Sequence, residues 1–194
     1  MANTPQPGTR ERIVSAASLL MQRQGYEGTG IKQVAQEAKA TLGSVYHFFP
    51  GGKQALGVAA VKHADQEFAA MLSASLSGEA DPAKAVAVCA RALADHLRDS
   101  GWMDGCPISA TALETTGRAP EIEQAVAAAF QHWRDLVAGT LREAGFAEGV
   151  AHDLAITVIN TLEGAELTAQ VFRSETPLLV AGEHLARLID SYRS

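Results

Sequence analysis

The chain has 194 residues, 47% of them hydrophobic, which is enough for one substantial core or for a small domain joined to a larger one. No apolar run approaches the ~20 residues of a transmembrane helix, which argues against a membrane protein. The two cysteines, Cys89 and Cys106, show no metal-like spacing and predict a reduced, cytoplasmic protein without a bound metal or cofactor.

The net charge of −6 is unevenly distributed along the chain. Residues 1–56 carry six basic and three acidic side chains, a balance of +3, whereas the remainder carries ten basic and nineteen acidic side chains, a balance of −9. Because a polyanion responds to the local charge of a surface, a basic segment followed by an acidic body is compatible with nucleic-acid binding.

Helix punctuation recurs along the chain, while alternation of β-branched residues is scarce. Thr9 is a candidate N-cap, Gly25 is predicted to end the first helix, Asp81-Pro82 and Thr176-Pro177 each read as a cap followed by proline, and Pro120 can begin a helix. The sequence predicts an all-α fold of about nine helices, at about 9–24, 31–38, 42–48, 52–76, 82–99, 106–116, 120–144, 148–172 and 177–192.

The segment 25–56 predicts a helix-turn-helix. Ile31 and Val34 give one short helix an inward face, and Val45 and Phe48 do the same for the next helix. Helices this short cannot bury a core alone, so they must pack on the first helix. The second short helix can then enter a DNA major groove, which is about 12 Å wide.

An ordered series of residues carries a family resemblance. Gly25-Tyr26, the Ile-x-x-Val-Ala pattern of residues 31–35, and the run Val45-Tyr46-His47-Phe48-Phe49 followed by Lys53 together resemble the TetR family. The forms TGIKQV, GSVYHFFPGGK and GCPISA are similar to its LmrA/YxaF-like subgroup. The resemblance implies a helix-turn-helix domain at residues 1–50 and a ligand-binding and dimerisation domain at residues 51–194.

Position and resemblance together assign the candidate DNA contacts. Thr41 is predicted to cap the recognition helix, at whose N-terminal end side chains can meet base edges. The resemblance implies that Tyr46, His47 and Lys53 contact phosphates, and Lys53 also begins a helix whose amides favour an anion. The predicted DNA-binding residues are Arg10, Lys32, Lys39, Thr41, Leu42, Gly43, Ser44, Tyr46, His47 and Lys53.

The chain departs from the family pattern at two of these positions. Many relatives have lysine where this chain has Leu42, which favours an apolar contact such as a thymine methyl. They commonly have glycine where Lys39 stands, and lysine costs roughly 1 kcal/mol there if the backbone is left-handed. Lys39 is either a DNA contact or a solvated turn residue. Tyr26, Phe48 and Phe49 are predicted to be core rather than base-stacking residues.

The middle of the chain concentrates aromatic and sulfur-containing residues, which suit a planar apolar ligand. The resemblance implies an effector cavity among the middle helices and effectors such as flavonoids or drug-like hydrophobic compounds. The alternative for each of these residues is ordinary core. The predicted ligand-binding residues are Phe68, Met71, Trp102, Met103, Cys106, Phe130, Trp133, Val137, Leu162, Glu163 and Glu166.

Glu163 and Glu166 stand three residues apart on an otherwise apolar helix. They are predicted either to form ion pairs with arginines such as Arg134 or Arg187 or to anchor a ligand. A metal site is not predicted, because no His or Cys ligand stands at suitable spacing beside them.

The last two predicted helices have apolar stripes and glycines typical of a helical dimer interface. A homodimer would place two recognition helices on a palindromic operator. The predicted interface residues are Leu154, Val158, Gly164, Leu178, Gly182, Leu185 and Ile189.

These features predict a ligand-responsive transcriptional regulator. A repressor is expected, which binds double-stranded operator DNA as a homodimer, is released by a small hydrophobic effector and has no membrane partner. The alternative is a helical protein that sequesters hydrophobic ligands without a DNA role. No enzyme is predicted, since the catalytic patterns G-x-S-x-G, H-E-x-x-H and G-x-G-x-x-G are missing.

Overall fold

The computed structural model describes residues 7–193 and folds them into nine α-helices with no strand among them. The predicted all-α fold is therefore confirmed. Within these residues, no helix is long and apolar enough to cross a membrane. The helices are α1 Thr9–Gly28, α2 Ile31–Glu37, α3 Leu42–Phe48, α4 Gly52–Ser77, α5 Pro82–Asp99, α6 Pro107–Thr115, α7 Pro120–Glu143, α8 Glu148–Phe172 and α9 Thr176–Ser191.

Local capping chemistry fixes several helix ends as predicted. Thr41 caps α3, because its hydroxyl oxygen accepts the backbone N–H of Ser44 at 3.0 Å. Asp81 caps α5 in the same way, accepting the N–H of Ala83 at 3.0 Å. Gly25 has the predicted left-handed backbone, with φ of +75°, but it kinks α1 near its end and the helix continues to Gly28.

Two predicted N-caps are wrong. Thr9 and Thr176 are each the first residue of their helix, and the capping positions are Gly8 and Glu175, neither of which makes a side-chain cap. A threonine fits the first helical position because its N–H needs no intrahelical acceptor there. The N–H of Thr176 instead donates to the Ser174 hydroxyl at 3.2 Å.

The first compact unit extends to Ala64 and also includes Pro107–Val126, which contains α6 and the first turns of α7. Helices α2, α3 and α6 all pack on α1, as predicted for the two short helices. The large side chains of its core are fully buried: Ile13, Met21, Leu56, Ile108 and Ile122.

The second compact unit consists of Asp65–Cys106 and the chain from Ala127 onward. Helix α5 packs on α9 and α8, and α8 packs on α9. Its largest fully buried side chains are Leu72, Leu97, Trp133, Leu141, Ile159, Leu162 and Leu178.

The two units do not divide at residue 50, where the sequence suggested a boundary between residues 1–50 and 51–194. Helix α4 runs unbroken from Gly52 to Ser77, and the boundary between the two units falls within it, after Ala64. Leu56 on its second turn is 1% exposed and belongs to the core of the first unit. Helix α6 also joins that unit, because it packs on α1.

Candidate functional site

The helix-turn-helix is built from α2, a tight turn and α3. In the turn, Lys39 adopts φ of +50°, and the N–H of Ala40 donates to Ala35 O at 2.9 Å. Val34 and Val45 are both 0% exposed and hold the two helices to α1. The backbone at Lys39 is thus left-handed, which is the conformation in which lysine destabilises the turn relative to glycine.

One face of α3 is open to solvent. Leu42, Gly43, Tyr46 and His47 are exposed and recur at the spacing of a single helical face, with Tyr46 at 50% exposure. Ser44 is half-buried, and its hydroxyl lies 2.9 Å from that of Thr41. The residues predicted to meet bases and the Tyr46-His47 pair therefore share the N-terminal part and the solvent face of α3.

The three aromatic residues predicted as core behave differently from one another. Tyr26 and Phe49 are 8% and 4% exposed, as expected for core residues. Phe48 is 37% exposed, and its ring meets that of His47 edge-on at 5.1 Å. The prediction that Phe48 faces inward is wrong, because Val45 within α3 and Phe49 directly after it take the buried positions.

The candidate phosphate-contacting cations of the first unit are not equivalent. Lys32 and Lys39 are exposed, and the exposed Arg10 guanidinium lies 5.5 Å from the centre of the Phe49 ring. Lys53 is held by the end of α1, since its ammonium donates to Glu27 O at 3.1 Å and lies 4.6 Å from the centre of the Tyr26 ring. Lys53 therefore has a structural role that the sequence did not indicate.

Sequence reasoning missed Glu114 on α6. Its carboxylate accepts the backbone N–H of Glu27 at 2.8 Å, and a side chain at Gly25 would overlap it. Gly25 is thus required both by its positive φ and by the approach of this carboxylate. No local signal links Glu114 to a residue 87 positions earlier.

In the second unit, α4 and α7 bring three predicted ligand residues together. The Trp133 ring lies 4.1 Å from the Phe68 ring and 5.3 Å from the Phe130 ring, measured between centroids. Trp133 is 1% exposed, and its indole Nε1 is buried without a hydrogen-bond partner among the described residues. Val137 and Leu162 are each 1% exposed and belong to the same unit's core.

Trp102 and Met103 follow the end of α5. Trp102 has φ of +69°, and its N–H donates to Leu97 O at 2.8 Å. Met103 is 49% exposed, and its carbonyl oxygen accepts a hydrogen bond from Gln170 of α8. Met71 is half-buried on α4. Within residues 7–193, no ring contact joins Trp102 to the cluster around Trp133.

The fold gathers the two glutamates of α8 with a cysteine. One donor atom each of Cys106, Glu163 and Glu166 lies within 4.8 Å of the others. Burial, together with the Glu163 carboxylate, raises the pKa of Glu166 to about 8. Burial and then Glu166 raise the pKa of the Cys89 thiol to about 12.

The sequence predicted no Cys ligand beside the two glutamates, and the position of Cys106 shows that this prediction is wrong. Cys106 is far from them in sequence, so spacing could not reveal it. The two arginines predicted to pair with these glutamates have other partners. The Arg187 guanidinium lies 4.0 Å from the Glu183 carboxylate, and the Arg134 guanidinium donates to Asn160 Oδ1 at 3.2 Å.

The burial of its apolar residues contradicts the predicted dimer interface. Its apolar side chains cannot meet a partner subunit, because they lie in the core of their own subunit: Leu154, Val158, Leu178, Leu185 and Ile189, each at most 3% exposed. Gly182 is buried too, and a Cβ there would lie 2.8 Å from the Cβ of Ala90 on α5. Of the predicted set, Gly164 alone is exposed.

The unpartnered apolar surface lies on the other side of the last helices. Gly164, Leu167 and Val171 are exposed at helical spacing on α8, and Leu167 and Val171 are 57% and 69% exposed. Phe172, at 71%, extends this surface, and Val180 on α9 is 46% exposed.

Comparison with known proteins agrees with this architecture. Residues 13–60 match the family described as bacterial regulatory proteins of the tetR family, and residues 82–184 match the C-terminal domain of LmrA/YxaF-like transcriptional regulators.

Curated relatives match over nearly the whole chain. The uncharacterized HTH-type transcriptional regulator YxaF of Bacillus subtilis is 31% identical over 96% of this chain and 97% of its own length. The HTH-type transcriptional regulator LmrA of the same organism is 31% identical over 88% of this chain and 91% of its own length. The relatives are named as regulators rather than as enzymes.

Solved structures share the fold. A TetR transcriptional regulator from Chloroflexus aurantiacus superposes with a TM-score of 0.78 at 26% identity, over 94% of each chain. One from Legionella pneumophila gives a TM-score of 0.82 at 23% identity, over 98% of this chain and 100% of its own. The chain therefore belongs to the TetR family of transcriptional regulators, with a DNA-binding helix-turn-helix and an LmrA/YxaF-like C-terminal domain.

Proposed function

We propose that the chain is a ligand-responsive repressor that acts in the cytoplasm, binds a palindromic operator as a homodimer and leaves it when a small hydrophobic effector binds. The observation that carries the DNA role is the solvent-facing side of α3, with Gly43, Tyr46 and His47 exposed next to the Thr41 cap. Such a helix can place its N-terminal residues against base edges in the major groove.

The DNA contacts divide into two kinds. Leu42, Gly43 and Ser44 would read bases, while Tyr46, His47 and the basic side chains would fix the helix on the phosphates. Lys32, Lys39 and Arg10 are exposed and available for phosphates. Lys53 contributes differently: its hydrogen bond to Glu27 O holds the start of α4 to the end of α1.

Dimerisation would use the exposed apolar surface of α8 and α9. Gly164 has no neighbouring atom within 4 Å of the position of a Cβ, so another helix can approach closely there. Leu167 and Val171 continue the same face. A two-fold axis through this face would bury it against its own copy, and the dimer would present two recognition helices about one DNA turn, ~34 Å, apart.

The aromatic cluster around Trp133 supports an apolar, planar effector such as a flavonoid or a drug-like compound. The Nε1 of Trp133 is a buried donor without a partner in the described residues, and a ligand carbonyl or hydroxyl would satisfy it. The ligand acts as an inducer if it prefers the conformation that binds DNA poorly, and DNA must then weaken ligand binding by the same factor.

The test titrates flavonoids and hydrophobic antibiotics against the complex of the protein with its own upstream DNA, while tryptophan fluorescence is recorded. An effector should quench fluorescence and release DNA together. Trp133→Phe keeps an aromatic ring in the core but removes the indole donor, so it should weaken ligand binding and leave DNA affinity without ligand unchanged.

Two outcomes would count against the proposal. Quenching without release of DNA would indicate a ligand-sequestering protein. A Trp133→Phe variant that binds and responds like the wild type would remove this cluster as the effector site.

A further inference from the structure

The second unit contains a group of donor atoms that the proposed function does not require. Cys106 directly precedes α6, and Glu163 and Glu166 lie on α8, with the donor atoms within 4.8 Å of one another. We infer that Cys106, Glu163 and Glu166 form a binding site for a divalent transition-metal ion of the zinc type.

The backbone brings the three residues together by a close approach. Glu163, Glu166 and Gln170 recur at i, i+3 and i+7 on one side of α8. The Gln170 amide donates to Met103 O at 3.2 Å, and it lies so close to Gly105 that a Cβ there would overlap it. This contact sets Cys106, the next residue, against the turns of α8 that carry the two glutamates.

Glu166 is the observation that points to a bound cation. It is 5% exposed, yet no hydrogen bond to its carboxylate is found among the described residues. A carboxylate buried without hydrogen bonds is costly, and the neighbouring Glu163 adds repulsion. A cation among the three donors would satisfy the carboxylate and offset that repulsion.

The donor set selects the class of ion. A thiolate disfavours the hard cations Mg²⁺ and Ca²⁺, whereas one sulfur and two carboxylate oxygens suit zinc-type ions. Tetrahedral coordination at ~2.0–2.3 Å places donor atoms about 3.5 Å apart, which small side-chain rotations from the present arrangement would give.

Access and charge are also compatible with an ion. Cys106 and Glu163 are only half-buried, so the site can be reached from solvent. Three protein ligands leave a fourth position for water or another donor. Binding would release the proton of the Cys106 thiol, and that of Glu166 where it is protonated, to solvent, without any change of oxidation state.

The test uses the full-length, untagged protein, reduced and freed of metal with a chelator, and it needs no DNA. Its result is therefore separate from that of the proposed function. Co²⁺ should bind at one ion per chain and give a thiolate-to-cobalt charge-transfer absorption, and Zn²⁺ should displace it. Mg²⁺ at the same concentration should not displace Co²⁺.

Variants locate the ligands. Cys106→Ser should abolish the charge-transfer band, and Glu166→Gln should weaken Co²⁺ binding by roughly tenfold or more. Glu183→Gln, which removes an exposed carboxylate from α9 of the same unit, is the matched control and should bind like the wild type. Circular dichroism verifies that each variant is folded, and Glu163→Gln replaces any variant that is not.

The inference is overturned if the wild type binds no stoichiometric Co²⁺. It is also overturned if the band survives in Cys106→Ser, or if folded Glu166→Gln and Glu163→Gln both retain wild-type affinity.

Discussion

At the scale of single residues, the turn of the helix-turn-helix carries a charged side chain, Lys39, on a strained backbone. Lys39 has φ of +50°, a conformation that favours glycine, and it is exposed between the two short helices. A strained residue at this position is consistent with a side chain needed for DNA. Stability and DNA affinity should therefore respond in opposite directions to its replacement.

Lys39→Gly should raise the free energy of unfolding by about 1 kcal/mol, because glycine adopts the left-handed backbone without strain. The same change should weaken DNA binding by removing a phosphate contact. Lys39→Met is the matched control, since it removes the charge but keeps the strain. It should weaken DNA binding without stabilising the protein, as measured by urea unfolding and fluorescence anisotropy.

If Lys39→Gly and Lys39→Met both bind DNA with wild-type affinity, Lys39 is a solvated turn residue. If Lys39→Gly is no more stable than the wild type, the left-handed backbone at Lys39 does not lower the free energy of unfolding.

Residue-level predictions from the sequence succeeded where the chemistry is local. Thr41 and Asp81 cap their helices because the donor they satisfy lies two or three residues away, within the window that a sequence pattern describes. Glu114 and Cys106 could not be found in this way. Their partners are 87 and about 60 residues distant, and only the packing of α6 on α1 and of the residue 103–106 segment on α8 brings them together.

At the scale of helices, periodicity identified the apolar face of each helix but not what covers it. Leu178, Leu185 and Ile189 form the stripe that the sequence predicts on α9, and α5 of the same subunit covers it. A stripe buried by a neighbouring helix and one buried by a second copy have the same spacing in sequence. The fold class and nearly all helix bounds were therefore predictable, whereas the partner that covers each apolar stripe was not.

Gly182→Ala should destabilise the subunit itself rather than separate subunits. The added Cβ would lie 2.8 Å from the Cβ of Ala90 and 3.3 Å from the Cα of Ala87, so α5 and α9 must move apart, at a cost of roughly 1–3 kcal/mol. Thermal unfolding measures this change.

Gly139→Ala in α7 is the matched control. There the nearest atom is the end of the Arg142 side chain at 3.9 Å, so alanine should stabilise the helix by roughly 0.5–1 kcal/mol. Equal stability changes in the two variants would show that α9 does not pack closely on α5.

At the scale of the whole molecule, the exposed apolar face of α8 is the expected contact between two copies. Leu167→Glu with Val171→Glu places two charges on this face and should convert the dimer to a monomer in sedimentation velocity. Burying an unpaired charge in an interface is strongly unfavourable, while an exposed charge is not. The subunit should therefore remain folded.

Leu113→Glu is the control for added surface charge, because Leu113 on α6 is the most exposed large hydrophobic side chain in residues 7–193, at 84%. It should leave the dimer intact. A Leu167→Glu, Val171→Glu variant that sediments as a wild-type dimer would place the interface elsewhere.

The proposed repressor function depends on α3 being the DNA-reading helix, and the salt dependence of DNA affinity tests this most directly. The measurement compares the wild type, a Lys32→Ala, Tyr46→Ala double variant and a Lys84→Ala control on the chain's own upstream duplex. Lys53 is not used, because it also holds the end of α1. Lys84 is an exposed lysine of α5, outside the helix-turn-helix.

The double variant should bind all sequences more weakly, and its slope of log affinity against log salt should be reduced by about one, since one phosphate charge contact is lost. Lys84→Ala should match the wild type in affinity and slope. Identical affinity and slope in the double variant and the wild type would contradict the assignment of α3 as the helix that docks on DNA.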